Sequence, residues 1–439
     1  MEATARNHGG AFQPTRRLDV EVASICADGH DYQLVQLNSI EQVLSIKPQW
    51  QALERATPDR FDYFQSFDWC YQWCLTKFGR DRKCRNAELS IYALFCDDAI
   101  VMIWPMMVVK TRIGTKILTM LTDPLVQYAN VLVDKNLVSA EVGREVWQVI
   151  RKHAEVDAVT FNHYPSGSFL DEILSKDGFV EHALSEASIL DLTAFETWDD
   201  HHASLSRNQR KQRNRRRNNL HKLGDVTYEV NFGGSKKYAE RVQIALEMKQ
   251  VWLAKTGRKP GILAEPDTET FLVGLAGTEV GPLGSPEGAL VHALCVDRIP
   301  VALEIGMVKG RHYYSYLGAF DWTLKDYSAG KVQIEAAQEW ANSVGLEVFD
   351  FLGDSADYKE QWTGASQPLH SRSMPVTALG LPYCAIWKSR LRPQLKQAYK
   401  NMDPDKRKVI SKAMTLLRRP SAGDSSDRDT KLNSLDKYS

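Results

Sequence analysis

Apolar residues in the second half of the chain come in three runs that are separated by short polar turns. The runs and the turns between them are ALVHALCV (289–296), Asp297-Arg298, IPVALEIGMV (299–308), Lys309-Gly310 and HYYSYLGAF (312–320). This pattern predicts an antiparallel meander of three strands. From Ser328 the apolar period becomes that of a helix, and a short strand, LEVFDFL (346–352), follows it. Three strands, a helix and one more strand do not make a Rossmann unit, in which strands and helices alternate.

The first half of the chain repeats this general order of strands and helices. A strand is predicted at 32–37, and Ser39 with Gln42 has the spacing of a capping box that starts a helix. Alternating apolar residues predict two strands between 88 and 109, and a helix is predicted at 138–154. The whole pattern therefore predicts an α/β (α+β) fold of two domains, each with a mixed, mainly antiparallel sheet flanked by helices.

A polar segment, AFETWDDHHA (194–203), separates the two predicted domains. The predicted segments are a flexible N-terminal lead (1–17), a first domain (18–197), a second domain (204–385), a basic helical segment (386–419) and a disordered tail (420–439). We expect the tail to be disordered because it has too few apolar residues to offset the entropy that is lost on ordering.

Composition argues against several classes of function. The 439 residues are 43% hydrophobic and 25% charged, with a formal net charge of zero, as in an ordinary globular protein. A global attraction to nucleic acid or membrane is not expected, so such binding would need a local charged patch. The seven cysteines are scattered, and none of the 11 histidines forms an HxxxH-type pair. The sequence therefore predicts neither a zinc site nor metal catalysis.

No targeting or membrane-spanning segment is predicted from the sequence. The N-terminal residues lack the apolar core that a signal peptide needs. The longest apolar run, AIVMIWPMMVV (99–109), contains a central proline and is far shorter than the ~20 residues of a membrane helix. Because the cysteines also suggest a reducing compartment, we expect a cytoplasmic protein without a transmembrane segment.

A basic run extends from Ser206 to Lys222. It contains eight Lys or Arg residues and no acid, and it has no apolar residue before Leu220. One interpretation is a solvated helix whose arginine stems lie on the core. Another is that Arg207 and Arg210 line a groove for a phosphate-bearing ligand, since the guanidinium group matches phosphate geometry. Nucleic-acid binding is a third, but the run has no aromatic residue to stack on bases, so we expect no stable nucleic-acid partner.

Four motifs in the second half of the chain resemble those of a known family. They are SLSRNQRKQRNRRRNNLHKLG, MKQVWLAKTGR, AFDWTLKDYSAGKVQIEAA and GLEVFDFLGDSADYKEQW. In this order they resemble the CelD-like or BioF-like acetyltransferase domain of the GNAT superfamily, which is related to the FemAB peptidyltransferases. The chain departs from the family at Ala329, where proline is usual. The resemblance covers residues 204–365 and implies tandem GNAT-like domains, of which the first is degenerate.

The resemblance also implies that the helix start at Ser328, Gly330 and Lys331 binds the cosubstrate. A helix N-terminus presents unpaired N–H groups and a positive dipole end, and glycine allows a pyrophosphate to approach closely. The implied cosubstrate is acetyl-CoA or another acyl-CoA, ahead of the aminoacyl-tRNA that FemAB relatives use. No metal is implied.

Three residues are candidates for catalysis. Asp350 lies among apolar residues of its strand, either as an acid, base or amine anchor, or as a structural partner of Lys359 or a backbone N–H. Tyr316 either protonates the leaving thiolate or packs in the core, and Glu304 either acts as a general base or faces solvent. The candidates for substrate binding are Arg207, Arg210, Tyr314, Asp321, Asp354, Tyr358 and Lys359. Asp321 and Asp354 could instead cap helices or turns.

Together these features predict an acyltransferase that acts on an amino or hydroxyl group of a small-molecule or glycan-precursor acceptor. The acceptor class implied by the resemblance is a sugar or a cell-envelope or polysaccharide precursor. The alternative is a non-enzymatic binding protein, in which the basic helix 206–222 docks RNA, anionic lipid or a protein partner.

Overall fold

The computed structural model describes residues 21–79, 86–175, 177–259, 261–353 and 365–402. We refer to the described residues from 21 to 194 as the N-terminal half. Its strands are β1 (Glu21–Ala27), β2 (His30–Leu37), β3 (Ala87–Cys96), β4 (Ala99–Lys110), β5 (Lys116–Met120), β6 (Leu132–Val133), β7 (Ala158–Pro165) and β8 (Val180–Asp191). Its α-helices are α1 (Ile40–Ser45), α2 (Lys47–Ala56), α3 (Phe67–Phe78), α4 (Ala140–His153) and α5 (Phe169–Leu174).

The C-terminal half comprises the described residues from 198 to 402. Its strands are β9 (Val226–Phe232), β10 (Gly277–Thr278), β11 (Glu287–Val296), β12 (Ile299–Lys309), β13 (His312–Phe320), β14 (Val348–Asp350) and β15 (Ala365–Pro375). Its α-helices are α6 (Trp198–Ser204), α7 (Arg207–His221), α8 (Lys236–Lys255), α9 (Pro266–Val273), α10 (Ala329–Ser343) and α11 (Arg392–Asn401), with a π-helix at Pro382–Leu391 before the last of them.

All of these strands belong to one mixed sheet. Its main path runs β1-β2-β3-β4-β5-β7-β15-β8-β14-β13-β12-β11-β10, with β6 paired to β4 and β9 paired to β11. Among the described strands, only β5–β7 and β13–β14 pair in parallel. Each parallel pair is connected through a helix, α4 in the first case and α10 in the second, as a parallel crossover requires. The two halves therefore repeat one strand–helix–strand unit, and the predicted tandem fold class is confirmed.

The two halves exchange strands where they meet. Strand β8 of the N-terminal half pairs with β14, and β15 of the C-terminal half pairs with both β7 and β8. Each half therefore completes the sheet of the other. The division into domains at 18–197 and 204–385 stays a prediction, and β15 pairs with strands on the N-terminal side of that division.

Local sequence signals account for many of the element boundaries. The Ser39 side chain accepts a hydrogen bond from the backbone of Gln42, and the predicted capping box starts α1. The predicted meander is observed as β11, β12 and β13, with Asp297, Arg298 and Gly310 in left-handed backbone conformations at its turns. None of the described helices is long and apolar enough to cross a membrane.

An aromatic cluster joins the two halves on the face of β13 that carries Tyr314 and Tyr316. The ring of Tyr314 lies 5.6 Å from that of Tyr63 and 5.9 Å from that of Phe64, and the ring of Tyr316 lies 5.8 Å from that of Trp69. Edge-to-face aromatic pairs add about 1 kcal/mol each beyond the burial of their surface. The N-terminal half is therefore packed firmly over one face of the C-terminal sheet.

Asp62 is a buried acid beside this cluster. One of its carboxylate oxygens accepts a hydrogen bond from Asn130 Nδ2 at 3.2 Å, and Lys309 Nζ lies 3.4 Å from its backbone carbonyl oxygen. Burial raises the pKa of Asp62 from 3.8 to about 8, although the charge of Lys309 opposes this. The folded protein therefore holds a proton on Asp62 in a pH range where the unfolded chain has lost it.

We expect Asp62→Asn to remove a loss of stability that the wild-type protein suffers as the pH rises from about 4 to about 8. Because the folded-state pKa is raised, the free energy of unfolding should fall between about pH 4 and pH 8, by at most about 1.4 kcal/mol per unit. Urea denaturation at pH 5 and pH 8 measures this fall. The Asn variant should lose less stability than the wild type, and the partly exposed Asp59→Asn variant should follow the wild type. Equal losses in the wild type and Asp62→Asn would contradict the expectation.

Candidate functional site

Helix α10 begins directly after a short 3-10 helix, Trp322–Tyr327, that leads away from β13. Its N-cap residue, Ser328, has a left-handed backbone with φ 59°, and its side chain makes no capping hydrogen bond. The first turn packs against the end of β13, where a Cβ built on Gly330 would lie 3.4 Å from Cδ1 of Phe320, an ordinary contact that does not itself require glycine. The helix therefore presents an N-terminus that its own cap residue does not satisfy.

Two cations lie beside this N-terminus. Lys331 is in the first turn of α10 and is half-buried, and burial lowers its pKa. The positive charge of Arg216, on α7, lowers the pKa of Lys331 further, so the two side chains are close enough to repel each other. A helix N-terminus with two neighbouring cations is suited to bind a phosphate or pyrophosphate group.

Helix α7, which contains the basic run, packs against α10 through ion pairs. Glu335 Oε1 lies 3.6 Å from Arg213 Nη1 and 3.7 Å from Arg217 Nη2, and Arg213 and Glu335 are both buried. A weaker contact joins Arg217 to Glu339 at 4.0 Å. Part of the basic run is therefore neutralised within the fold, which neither a fully solvated helix nor a free docking helix would show.

We expect Glu335→Gln to lower the free energy of unfolding by about 2 kcal/mol, because buried Arg213 would lose its charged acceptor. Glu339→Gln is the matched control, since the side chain of Glu339 is half exposed and surface pairs contribute about 0–1 kcal/mol. Urea denaturation of both variants measures the difference. Equal effects of the two changes would show that the Arg213–Glu335 pair does not hold α7 against α10.

The predicted binding residues Arg207 and Arg210 lie at the opposite end of α7 from Arg216. The rise of an α-helix puts Arg207 about 13 Å from Arg216 along the axis. Arg210 Nη1 donates to the backbone carbonyls of Ala203 and Leu205, at 2.6 Å and 2.8 Å, so Arg210 closes the junction between α6 and α7. The structure therefore brings Arg216, and neither of the two predicted arginines, to the start of α10.

Strands β13 and β14 pair over three residues and then separate. The pairing ends with Tyr314 opposite Asp350, whereas β13 continues to Phe320. Tyr316 is the extra residue of a β-bulge against β12, since Ser315 faces Gly306 and Leu317 faces Ile305. Beyond Tyr314, the described part of the chain supplies no further strand partner for this edge of β13. A bulge bends its strand, so an open edge of β13 leads from Asp350 to the N-terminus of α10. We call this edge the β13 cleft.

Asp350 is completely buried at the closed end of the β13 cleft. Its Oδ2 accepts hydrogen bonds from Tyr128 Oη at 2.7 Å and from His312 Nε2 at 3.2 Å, and its Oδ1 accepts from the backbone of Leu352 at 2.7 Å. Burial and the Asp350 charge hold the pKa of Tyr128 well above its usual value. Because Tyr128 belongs to the N-terminal half, Asp350 joins the two halves at the point where β13 and β14 separate.

The predicted residues Tyr314 and Tyr316 both turn toward the N-terminal half. Tyr314 Oη donates to the backbone carbonyl of Arg60 at 2.6 Å, and Tyr316 Oη donates to that of Leu125 at 3.0 Å. Burial raises the pKa of both phenols, so both remain protonated at neutral pH. The structure therefore brings Asp350, Tyr314 and Tyr316 to one face of the sheet.

Glu304 lies on the other face of the sheet, away from Tyr316. It is buried and does not face solvent, and it accepts a hydrogen bond from Tyr313 Oη at 2.7 Å. His292 is opposite Glu304 on β11, and burial lowers the pKa of His292 to about 3, so that imidazole is neutral. The three predicted catalytic residues are therefore not brought together: Glu304 belongs to a separate buried polar network.

The remaining predicted residues divide into two groups. Asp321 is the N-cap of the 3-10 helix, where its Oδ1 accepts from the backbone and the hydroxyl of Thr323 at 2.9 Å and 2.8 Å. The Asp321 carboxylate is therefore hydrogen-bonded within its own turn, as expected for a helix cap. Asp354, Tyr358 and Lys359 lie outside the described residues.

Three residues at the site were missed in the sequence: Tyr128, His312 and Arg216. His312 could have been found, because alternation along β13 puts it on the same face as Tyr314 and Tyr316. Tyr128 is 222 residues from Asp350, and only the docking of the two halves brings them together. Arg216 is one of eight Lys or Arg residues in the basic run, and only the packing of α7 on α10 distinguishes it as the one near Lys331.

In the N-terminal half, the N-terminus of the corresponding helix is already capped by a side chain. Helix α4 follows β5 as α10 follows β13, but its N-cap residue Ser139 accepts a hydrogen bond from the backbone of Val142. The Ser139 hydroxyl also donates to Asp28 Oδ2 at 2.6 Å, which brings an acid to this N-terminus. An anionic ligand would therefore meet a capped and acidic site in this half, unlike the site at α10.

The sequence and the fold both match known proteins. Residues 207–360 match the sequence family described as the acetyltransferase (GNAT) domain. The crystal structure of FemX is 12% identical, with a TM-score of 0.55, and the match covers 77% of this chain and 97% of that one. A tandem GNAT protein from the clavulanic acid biosynthesis pathway is also 12% identical, with a TM-score of 0.42, over 79% of this chain and 99% of that one. No curated protein sequence matches the chain significantly.

The matched segment contains each part of the site that is built by the C-terminal half: the basic helix α7, the bulged strand β13, the start of α10 and Asp350. The likeness to FemX extends over both halves and shows that they share its fold. Residues 207–360 therefore match the acetyltransferase (GNAT) domain family, the two halves together have the fold of FemX, and the protein is an enzyme of the acyltransferase type.

Proposed function

We propose that the protein transfers an acyl group from acyl-CoA to an amino or hydroxyl group of a sugar or a cell-envelope or polysaccharide precursor. The observation that carries the proposal is the start of α10, whose N-cap side chain makes no capping hydrogen bond, with Lys331 in its first turn, Arg216 of α7 nearby and the open edge of β13 leading to it. A pyrophosphate bound there would let the rest of the cosubstrate extend along the open edge of β13 toward Asp350. Acyl-CoA has this combination of an anionic end and an extended, thioester-bearing arm.

The reaction forms one bond to the acyl carbon and breaks another. The acceptor nitrogen or oxygen attacks the thioester carbonyl, the C–S bond breaks, and the proton lost by the acceptor balances the proton gained by the CoA thiolate. Negative charge develops on the carbonyl oxygen, and backbone N–H groups along the open edge of β13 are positioned to stabilise it. Two of the three hydrogen bonds of Asp350 come from side chains that line the closed end, so we propose that Asp350 positions this end and does not accept a substrate proton.

We expect Tyr316→Phe to lower turnover, because we propose that its phenol protonates the leaving thiolate. The raised pKa of Tyr316 keeps the phenol protonated, and its bond to the Leu125 carbonyl holds it beside the bulge. Loss of a general acid lowers kcat by about 10²-fold or more, whereas loss of one neutral hydrogen bond costs only about 1 kcal/mol of stability. Tyr314→Phe is the control, since Tyr314 lies at the closed end. Unchanged turnover in Tyr316→Phe would give that residue a packing role only.

Thiol release from acetyl-CoA tests the proposed function directly. The purified protein is incubated with acetyl-CoA and with amino sugars, hydroxyl-bearing sugars or envelope precursors, and free CoA is measured with a thiol reagent. We expect release that depends on both the acceptor and the enzyme, with acylated acceptor detected by mass spectrometry. Transfer from aminoacyl-tRNA with no transfer from any acyl-CoA would overturn the proposed donor and favour the FemAB type of reaction.

We propose a cytoplasmic location on the basis of the thiols. The six cysteines in the described residues are all free, which suits a reducing compartment. Cell fractionation should place the activity in the cytoplasm or on the cytoplasmic side of the membrane. Activity found only in an oxidising compartment would contradict this location.

A further inference from the structure

The C-terminal helices carry a concentration of exposed large apolar side chains. Leu379 precedes them with 71% of its surface exposed, and four more follow: Leu381 (52%), Ile386 (50%), Leu391 (43%) and Leu395 (57%). Isolated exposed apolar residues are common, but five within 17 residues call for a partner.

Four of these residues form one stripe along a π-helix and the α-helix that continues it. Leu381, Ile386 and Leu391 are each five residues apart at the π-helix Pro382–Leu391, whose repeat brings i and i+5 close to the same face. Leu395 follows Leu391 by four residues in α11, where i and i+4 share a face. We call Leu381, Ile386, Leu391 and Leu395 the C-terminal stripe.

Two contacts attach these helices to the rest of the protein. Cys384 is buried in a cluster with Ile117 and Ala158, and Tyr399 Oη donates to the backbone carbonyl of Gly257 at 2.8 Å. One attachment is to the N-terminal half and the other is to the C-terminal half. The segment is therefore fixed at both ends across the two halves, and its stripe remains exposed.

The charge of this segment identifies the kind of partner. Residues 381–402, which form the helical segment, contain no Asp or Glu but five Lys or Arg: Lys388, Arg390, Arg392, Lys396 and Lys400. The whole chain is formally neutral, so this segment is strongly basic relative to the rest of the chain. A basic helical segment with an exposed apolar face is the combination that binds in the headgroup region of an anionic bilayer.

We propose that the C-terminal stripe, which lies in a segment of basic sequence, binds the surface of a membrane that contains anionic lipids. The stripe inserts its leucine and isoleucine side chains at the level of the headgroups, and the positive charge of the segment is complementary to the anionic lipids. The interaction is peripheral, because no described helix is suited to span a bilayer. It does not depend on the acyl-transfer proposal, since none of the four apolar residues belongs to the β13 cleft.

Co-sedimentation of the full-length chain with vesicles tests this proposal. Vesicles of equal parts phosphatidylglycerol and phosphatidylcholine should bind the wild type, whereas pure phosphatidylcholine should bind it far more weakly. Leu381→Gln, Ile386→Gln, Leu391→Gln and Leu395→Gln together should lower partitioning by on the order of 100-fold. The matched control replaces exposed apolar residues elsewhere, Ile113, Val280, Leu283 and Ile299, by Gln, and it should bind like the wild type.

Thermal unfolding of the same variants separates a lipid partner from an internal one. The four stripe substitutions should leave the melting temperature unchanged, because the side chains are exposed in the free protein. Failure of the wild type to bind anionic vesicles would overturn the proposal. A lowered melting temperature in the stripe variant would also overturn it, since another segment of the chain would then cover the stripe.

Discussion

Asp350→Ala should destabilise the protein more than any other single change at the site, by about 4 kcal/mol of unfolding free energy. Three buried donors, on Tyr128, His312 and Leu352, would lose their acceptor together. An unsatisfied buried donor costs about 1–3 kcal/mol, and the small side chain would also leave a cavity. Because Tyr128 comes from the N-terminal half, the loss should loosen the contact between the halves as well as the β13 cleft.

Chemical denaturation measures this loss, and Asp350→Asn separates stability from chemistry. Asn keeps the shape of the side chain and one acceptor for the Leu352 N–H, but its Nδ2 would face Tyr128 and His312, so its stability should lie between that of the wild type and that of the Ala variant. Its turnover should change little if Asp350 only positions the cleft. A stable Asn variant with turnover reduced by about 10²–10⁴-fold would instead identify Asp350 as an acid, a base or an amine anchor. A stable Asp350→Ala variant would contradict the role of the carboxylate as a joint between the halves.

Lys331→Ala combined with Arg216→Ala should weaken acyl-CoA binding on the order of 100-fold. Each cation can make a charge-assisted hydrogen bond to the pyrophosphate, worth about 1.5–3 kcal/mol in a partly buried site. An anion bound between the two cations would offset both the cost of burying the Lys331 charge and its repulsion by Arg216. The affinity loss should therefore be large while the fold, which relies on Arg213 and Glu335, remains intact.

Arg207→Ala combined with Arg215→Ala is the matched control for this experiment. It removes the same charge from exposed positions of α7 and leaves the start of α10 unchanged. We expect its affinity for acyl-CoA to remain within a few-fold of the wild type when measured by titration calorimetry. Equal losses in the two double variants would mean that only the general positive charge of α7 attracts the cosubstrate. In that case the proposal that acyl-CoA binds at Lys331 and Arg216 would be wrong.

Sequence patterns predicted the parts of the fold that depend on neighbouring residues. The meander β11–β13 is determined by apolar runs and two-residue turns, and α10 by a helical period that starts after Ser328. The β-bulge at Tyr316 was not predicted, because alternation in a single strand does not reveal an extra residue relative to its partner. The opening of the β13 cleft therefore became apparent only from the strand pairing in the structure.

Contacts between distant segments could not be predicted in the same way. The exchange of β8 and β15 depends on which of two similar halves each strand joins, and the residues of a single strand do not indicate its partner. The ion pairs between α7 and α10 do have a sequence signal. Arg213 and Arg217 are four residues apart, and so are Glu335 and Glu339, so each set lies on one face of its helix. That signal became informative only once α7 and α10 were known to pack together.

Titration of acetyl-CoA into the wild-type protein tests the central claim most directly. The account predicts saturable binding at one site per chain, because the start of α10 is open whereas Ser139 and Asp28 close the equivalent start of α4. The bound cosubstrate should stabilise the fold by about 2.7 kcal/mol at 100 times its Kd. Absence of heat and of any stabilisation with acetyl-CoA, or two equal sites per chain, would contradict the account.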